Sequence, residues 1–331
     1  MKKSLIALLV SSVFLLSACD DKEKNALMAQ VQQSTQEVTQ LKSDVEKAKT
    51  ELADANKSIA ELTVQVEKAK SVFPALKVEI ETIFDKKEIV KHKKDPNEEN
   101  DFFREETPVQ LGVTMPKTNV EWINELIYAE FIQNWGRSFD AQGNKVPPAK
   151  ADKGKEKEMA LTILQKQLNE MIASAKEDSA IALTEVLESN YLWQRNNLVL
   201  FSQVHQSYTG GAHGMHWVRY LNIDVDKRII LTISDLFSEK NQNAIQEKLW
   251  NRYVEQWYEM TGEKETFTAK ADFELSGEFY FSEEGLTFAY PPYSLGPYAM
   301  GDIYLTLYWD EINPYLAKEY QQTSSRINAE F

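Results

Sequence analysis

The sequence predicts an α+β protein: an N-terminal signal segment and a long coiled-coil helix, then a mostly antiparallel sheet domain with interspersed helices. Three observations carry this. Residues 27–69 hold an apolar period of 3.5 with no Gly or Pro inside. After Pro74 several runs alternate with a period of two. Helices are interspersed among those runs, and hairpin connections join them, which favours antiparallel pairing.

The first segment reads as an export signal over residues 1–18. Lys2 and Lys3 precede an apolar stretch, Leu5 to Leu16, too short to span a bilayer comfortably. The ending "LLSAC" (15–19) resembles the bacterial lipoprotein box, which implies that Cys19 is lipidated and opens a mature N-terminus over 19–23. Cys19 is the single cysteine of the chain, so it forms no internal disulfide, and lipidation accounts for a lone thiol in an exported protein. Asp20 and Asp21 resemble the inner-membrane retention signal of enteric-type lipoproteins. That resemblance implies the periplasmic face of the inner membrane, the outer membrane being the alternative.

Residues 24–71 form the expected stalk. Val31, Val38, Val45, Leu52, Ile59 and Val66 fall at heptad position a. Position d takes Leu27, Ser34, Leu41, Ala48, Ala55, Leu62 and Ala69. At ~1.5 Å per residue the rod runs roughly 65 Å. A stripe of this kind needs a partner helix, so self-association is expected.

A smaller subdomain is expected over 75–180 and a larger one over 181–320, with a tail at 321–331. "ALKVEIETIF" (75–84) and "PVQLGVTMP" (108–116) alternate as strands around a charged loop. Residues 119–136 read as a helix with Asn119 as N-cap, and about 157–177 as a second, separated by a Gly- and Pro-bearing loop at 140–158. Strands follow at 181–194, 197–208, 214–225 and 228–233. Ser234 then caps a helix from 235 to about 260, followed by strands at 277–282, 285–290 and 303–309 and a short helix at 310–320.

The chain carries a net charge of −14, and all of it lies in 72–331, with 41 acids against 27 bases. Residues 255–319 hold 13 acids and three bases. Such a field repels nucleic acid and attracts cationic partners. Solubility alone is also served by it.

Three of the four histidines lie in "HQSYTGGAHGMHW" (205–217). On a strand, His213 and His216 would point to opposite faces, while His205 and His213 can meet across a hairpin. Two ligands do not make a zinc site, and no HExxH or CxxC accompanies them. There is no G-x-S-x-G elbow, no P-loop and no dinucleotide fingerprint, and no pair of carboxylates stands out. No catalytic residue, metal or cofactor is therefore assigned. Gly210 and Gly211 supply the positive φ of a tight turn, with Tyr208 and His213 beside it as structural residues.

Four segments, "YTGGAHG" (208–214), "LNIDVDKRIILTISDLF" (221–237), "GLTFAYPPYSLGPYAMG" (285–301) and "DEINPYL" (310–316), occur in that order. Together they resemble the extracytoplasmic domain of the lysozyme-sensing anti-sigma factor RsiV and its relatives, a domain also found in some peptidoglycan deacetylases. "QLGVTMPKTNVEWIN" (110–124) is similar to the smaller domain that precedes it there. The resemblance covers about 75–320 and implies lysozyme binding through a Pro/Tyr loop, here Pro291, Pro292, Tyr293, Pro297 and Tyr298. Independently, tyrosines held rigid by prolines make good binding surfaces, although the same residues can simply close a sheet.

The expected function is a non-enzymatic periplasmic lipoprotein whose acidic RsiV-like domain binds a cell-envelope ligand, lysozyme or peptidoglycan. One alternative is an envelope hydrolase or deacetylase using His205, His213 and a carboxylate. The other is a scaffold whose working part is the rod.

Overall fold

The computed structural model describes residues 21–70, 73–93, 103–135, 138–139, 145–146, 150–178 and 182–322. The signal segment, Cys19 and Asp20 lie outside these, and Asp21 is described only as backbone.

The chain divides into two units, residues 1–73 and 74–331. Among its described residues the first holds the helix α1 (Asp21–Lys70). Leu27, Val31, Val38, Leu41, Val45, Leu52, Ile59 and Leu62 are 41–62% exposed along it. They are among the residues expected at a and d, and in this helix they face solvent. Among the described residues no helix is long and apolar enough to cross a membrane.

The second unit is α+β and rich in antiparallel sheet. A six-stranded sheet has the order β1-β2-β5-β6-β7-β8, built from β1 (Val78–Lys91), β2 (Glu106–Thr118), β5 (Leu183–Arg195), β6 (Leu198–Tyr208), β7 (Met215–Asp224) and β8 (Ile229–Ile230). β3 (Ser138–Phe139) and β4 (Lys145–Val146) form a separate small hairpin. Every pairing in the large sheet is antiparallel except β2 with β5, which runs parallel from Val109↔Leu183 to Val113↔Leu187. That pairing passes across residue 180, so one continuous sheet joins the segments expected to form two subdomains.

Helices α2 (Glu121–Trp135) and α3 (Glu156–Glu177) follow β2 and pack on the sheet. The alternation of β2 explains the seat. Val109, Leu111, Val113 and Met115 are buried, opposite Ile123, Ile127 and Phe131 of α2 and Leu164 and Leu168 of α3. Asn119 is not the cap of α2. Its Oδ1 accepts from Lys77 N at 2.8 Å, which ties the start of β1 to the end of β2.

The second core lies between helix α5 (Glu239–Thr261) and a three-stranded sheet of order β11-β10-β9. Its strands are β9 (Phe279–Phe281), β10 (Gly285–Tyr290) and β11 (Ile303–Tyr308). Leu249, Tyr253, Phe288, Leu305 and Trp309 are all buried there. Truncating Leu249 to Ala would cost about 2–5 kcal/mol. The helix expected from 235 is divided in two. Asp235 accepts from both the N–H and the hydroxyl of Thr232 at 2.8 and 2.7 Å, closing the one-turn α4 (Ile233–Leu236). Phe237 is then extended and buried, and Ser238 is the cap of α5, accepting from Asn241 N. Gly262, at φ 74°, ends α5.

At the C-terminal end, α6 (Trp309–Ile312) is a single turn, and a 3-10 turn at Lys318–Tyr320 replaces the rest of the expected helix. Tyr320 is buried, and its hydroxyl donates to Asp224 Oδ2 at 2.7 Å and accepts from Lys227 Nζ at 2.8 Å. The other Asp224 oxygen accepts from the backbone of Asp226 and Lys227. The C-terminal 3-10 turn is thereby tied to the β7–β8 turn.

Candidate functional site

The β6–β7 hairpin sets the first half of the site. Its register runs from Leu198↔Asp224 to Ser207↔Met215, leaving 208–214 as the connection. Gly210 and Gly211 take φ 103° and 92°, as a turn of this tightness demands. Tyr208 donates from its hydroxyl to Gly211 O at 2.9 Å and closes the loop on itself. Gly214 has a further role that composition alone does not reveal. A Cβ there would stand 2.6 Å from Ser207 O, so only glycine lets the chain re-enter β7.

The second half is the loop 291–302 after β10. Leu295 is buried in the core, and its carbonyl accepts from the Tyr253 hydroxyl at 2.7 Å. Ser294 O accepts from Thr268 Oγ1 at 2.6 Å. Tyr293 N donates to Gly296 O, and Ser294 N to Pro291 O. Pro292 is buried and Pro291 exposed. Pro297 leads into the 3-10 turn Tyr298–Met300. The loop is therefore pinned at its centre, which leaves Tyr293 50% exposed in a left-handed conformation of φ 71°. A bulky residue held there signals that the surrounding structure over-determines it.

The structure brings the two halves together. His213 stacks on Tyr298 with centroids 3.7 Å apart and planes at 17°. Its Nε2 lies 3.0 Å from the Tyr293 hydroxyl, and its Nδ1 lies 2.9 Å from Gly214 O. His216 meets the edge of Tyr298, and its Nε2 stands 3.3 Å from Asp302 Oδ1 without hydrogen-bond alignment. Beyond Asp302, Tyr304 and Tyr220 continue the aromatic surface, with Tyr220 against Tyr280 at 4.6 Å. Burial raises the phenols of Tyr220 and Tyr304 above the ordinary range, so both stay neutral and keep their protons. An open groove of about 300 Å³ runs beside Tyr298 between Thr184, Val204, Gln206 and His216.

Two expectations about the histidines need correction. His213 and His216 do not diverge, because β7 begins only at Met215 and strand alternation does not govern His213. Both rings face Tyr298. His205 does not meet His213. It pairs with Trp217, on the sheet face opposite His216, where it is buried with Nε2 2.6 Å from Glu185 Oε2. A centre using His205 and His213 together is not formed. Among the described residues no group of three or more His, Cys, Asp or Glu side chains converges as a metal site. The sequence considers His216 only as a metal ligand and does not mark Asp302. Their signal is the hairpin register together with the acidic residue just after the Pro/Tyr loop.

Comparison with known proteins places part of this architecture. Residues 234–324 match the family model described as "Protein of unknown function (DUF3298)". The Pro/Tyr loop falls within the match and the Gly-Gly turn outside it. No curated protein matches the chain. Among solved structures, a member of the DUF3298 family from Bacteroides fragilis is 19% identical with a TM-score of 0.48, over 72% of this chain and 94% of that one. A DUF3298 family protein from Pseudomonas aeruginosa PAO1 is 16% identical with a TM-score of 0.50, over 74% of this chain and 95% of that one. The C-terminal part of this chain, residues 234–324, is thus similar to the DUF3298 family, within an α+β fold similar to that of the Pseudomonas protein.

Proposed function

We propose that this chain is a non-enzymatic envelope lipoprotein, anchored through Cys19 and self-associated through α1, whose globule is a receptor for lysozyme. The observation that carries this reading is the posture of Tyr293. It is held half exposed at positive φ by a loop anchored through Leu295, and braced by His213. A rigid tyrosine of this kind contributes contact area with little entropy loss on binding. The acidic balance of 255–319 favours capture of a basic protein and steers its approach. The RsiV-like resemblance points to the same ligand. Peptidoglycan, the sugar-rich alternative, would use the groove beside Tyr298.

The test is capture of lysozyme by the immobilised chain at low and at moderate salt. The reading predicts binding that weakens with salt and drops at least tenfold in Tyr293→Ala. Absence of capture at both salts contradicts the lysozyme reading, and a peptidoglycan sedimentation assay then examines the alternative.

A further inference from the structure

On the sheet face opposite the tyrosine surface lies a second cavity, of about 190 Å³, between α2 and strands β5, β6 and β7. Its walls combine two chemistries. Trp217 is 44% exposed and packs on His205 with centroids 3.7 Å apart, while Trp135 of α2 meets the same imidazole edge-on at 4.9 Å. Between these rings stand polar groups, the Gln203 amide and the ion pair of Glu130 with Arg219.

The group that asks for a ligand is His205. It is 5% exposed, and its Nδ1 has no hydrogen-bond partner among the described residues. On the other side of the ring, Nε2 stands 2.6 Å from Glu185 Oε2. That proximity does not by itself fix which ring nitrogen carries the hydrogen. Nδ1 is an acceptor in one neutral tautomer and a donor in the other and in the imidazolium. A hydroxyl can satisfy either state. An orphaned buried nitrogen is costly, so a wholly apolar occupant is disfavoured.

Size and charge narrow the choice. At roughly 30 Å³ per water the cavity equals about six waters, the space of a one-ring solute. Glu130 already neutralises Arg219, so the site does not select an anion. The indole of Trp217 offers a flat apolar face at the mouth. We propose that this cavity binds a single pyranose ring, stacked by its C–H face on Trp217 with one hydroxyl on His205 Nδ1. The site is independent of the tyrosine surface and shares no residue with it.

The experiment is saturation-transfer NMR on the full chain with N-acetylglucosamine and glucose as single rings and chitotriose as an oligosaccharide. Glycerol serves as the open-chain polyol and benzyl alcohol as the flat aromatic. The proposal predicts saturable binding of the ring sugars with Kd on the order of 1 mM, weakened at least tenfold in Trp217→Ala and largely retained in Trp217→Phe. His205→Gln should also weaken it. A preference for chitotriose over the single rings would identify a chain end as the natural occupant, and equal binding would identify a free sugar. Should a variant fail to fold, the wild-type indole N–H spectrum decides, because sugar must shift Trp135 and Trp217 and leave the other five indoles in place. Binding unchanged by Trp217→Ala, no binding by any sugar, or binding of benzyl alcohol alone would each overturn it.

Discussion

The imidazole of His213, in the β6–β7 turn, lies flat on the phenol of Tyr298, in the loop after β10, with centroids 3.7 Å apart. Two motifs far apart in sequence are thus one structure, and each limits the motion of the other. Loss of the ring contact should cost about 0.5–1.5 kcal/mol. Tyr298→Ala is expected to speed amide exchange at 209–214 as well as in its own loop, whereas Tyr298→Phe keeps the stack and the protection. Exchange that rises only around residue 298 would show that the turn orders itself.

Tyr293 holds a left-handed backbone, which for a residue with a side chain is strained by roughly 1–2 kcal/mol. Tyr293→Gly relieves that strain while losing the hydroxyl contact with His213 and gaining chain entropy in the unfolded state. The melting temperature should stay level or rise while lysozyme capture falls. A clear loss of stability would mean that the side chain is kept for packing.

Tyr320 joins Asp224 and Lys227 inside the protein, and burial pushes its phenol up to about 12. Tyr320→Phe leaves one Asp224 oxygen without its donor, and an unsatisfied buried acceptor costs about 1–3 kcal/mol. Urea unfolding should show that loss with an unchanged slope.

Glu278 accepts from Tyr220 N at 3.0 Å, and burial raises its carboxyl above the usual range despite that bond and the nearby Arg219. A folded-state pKa above the unfolded one adds stability below the unfolded value and loses it as pH rises through the folded value. Glu278→Gln is therefore expected to melt higher than wild type at pH 7, with the gap closing toward pH 4. A gap that widens on acidification would contradict the assignment.

The exposed a and d residues of α1 call for a second helix. Leu41→Asp with Leu52→Asp should lower the oligomer found by analytical ultracentrifugation of the full chain, leaving the melting of the globule unchanged. An unchanged sedimentation coefficient would assign the stripe no role in self-association.

Much of the fold is legible in the sequence where one face of an element is buried. The odd positions of β2 and the hairpin glycines at 210 and 211 show this, because burial and positive φ each write a local pattern. The errors arose where tertiary contacts decide. Asn119 has the composition of a helix cap but serves β1, and Ser234 lies one turn before the true cap because Thr232 and Asp235 close a turn of their own. The union of His213 with Tyr298 had no sequence signal, since neither residue lies on an element whose register fixes its direction. The His205 cavity was hidden for another reason: its walls come from α2 and three strands, and only the β6–β7 register shows that His205 and Trp217 are neighbours.

The most direct measurement is hydrogen exchange of the full chain with and without lysozyme at low salt. Protection that appears together in 208–216 and 291–302 is the predicted result. A complex whose protection falls elsewhere, with both of these segments unchanged, would contradict the account.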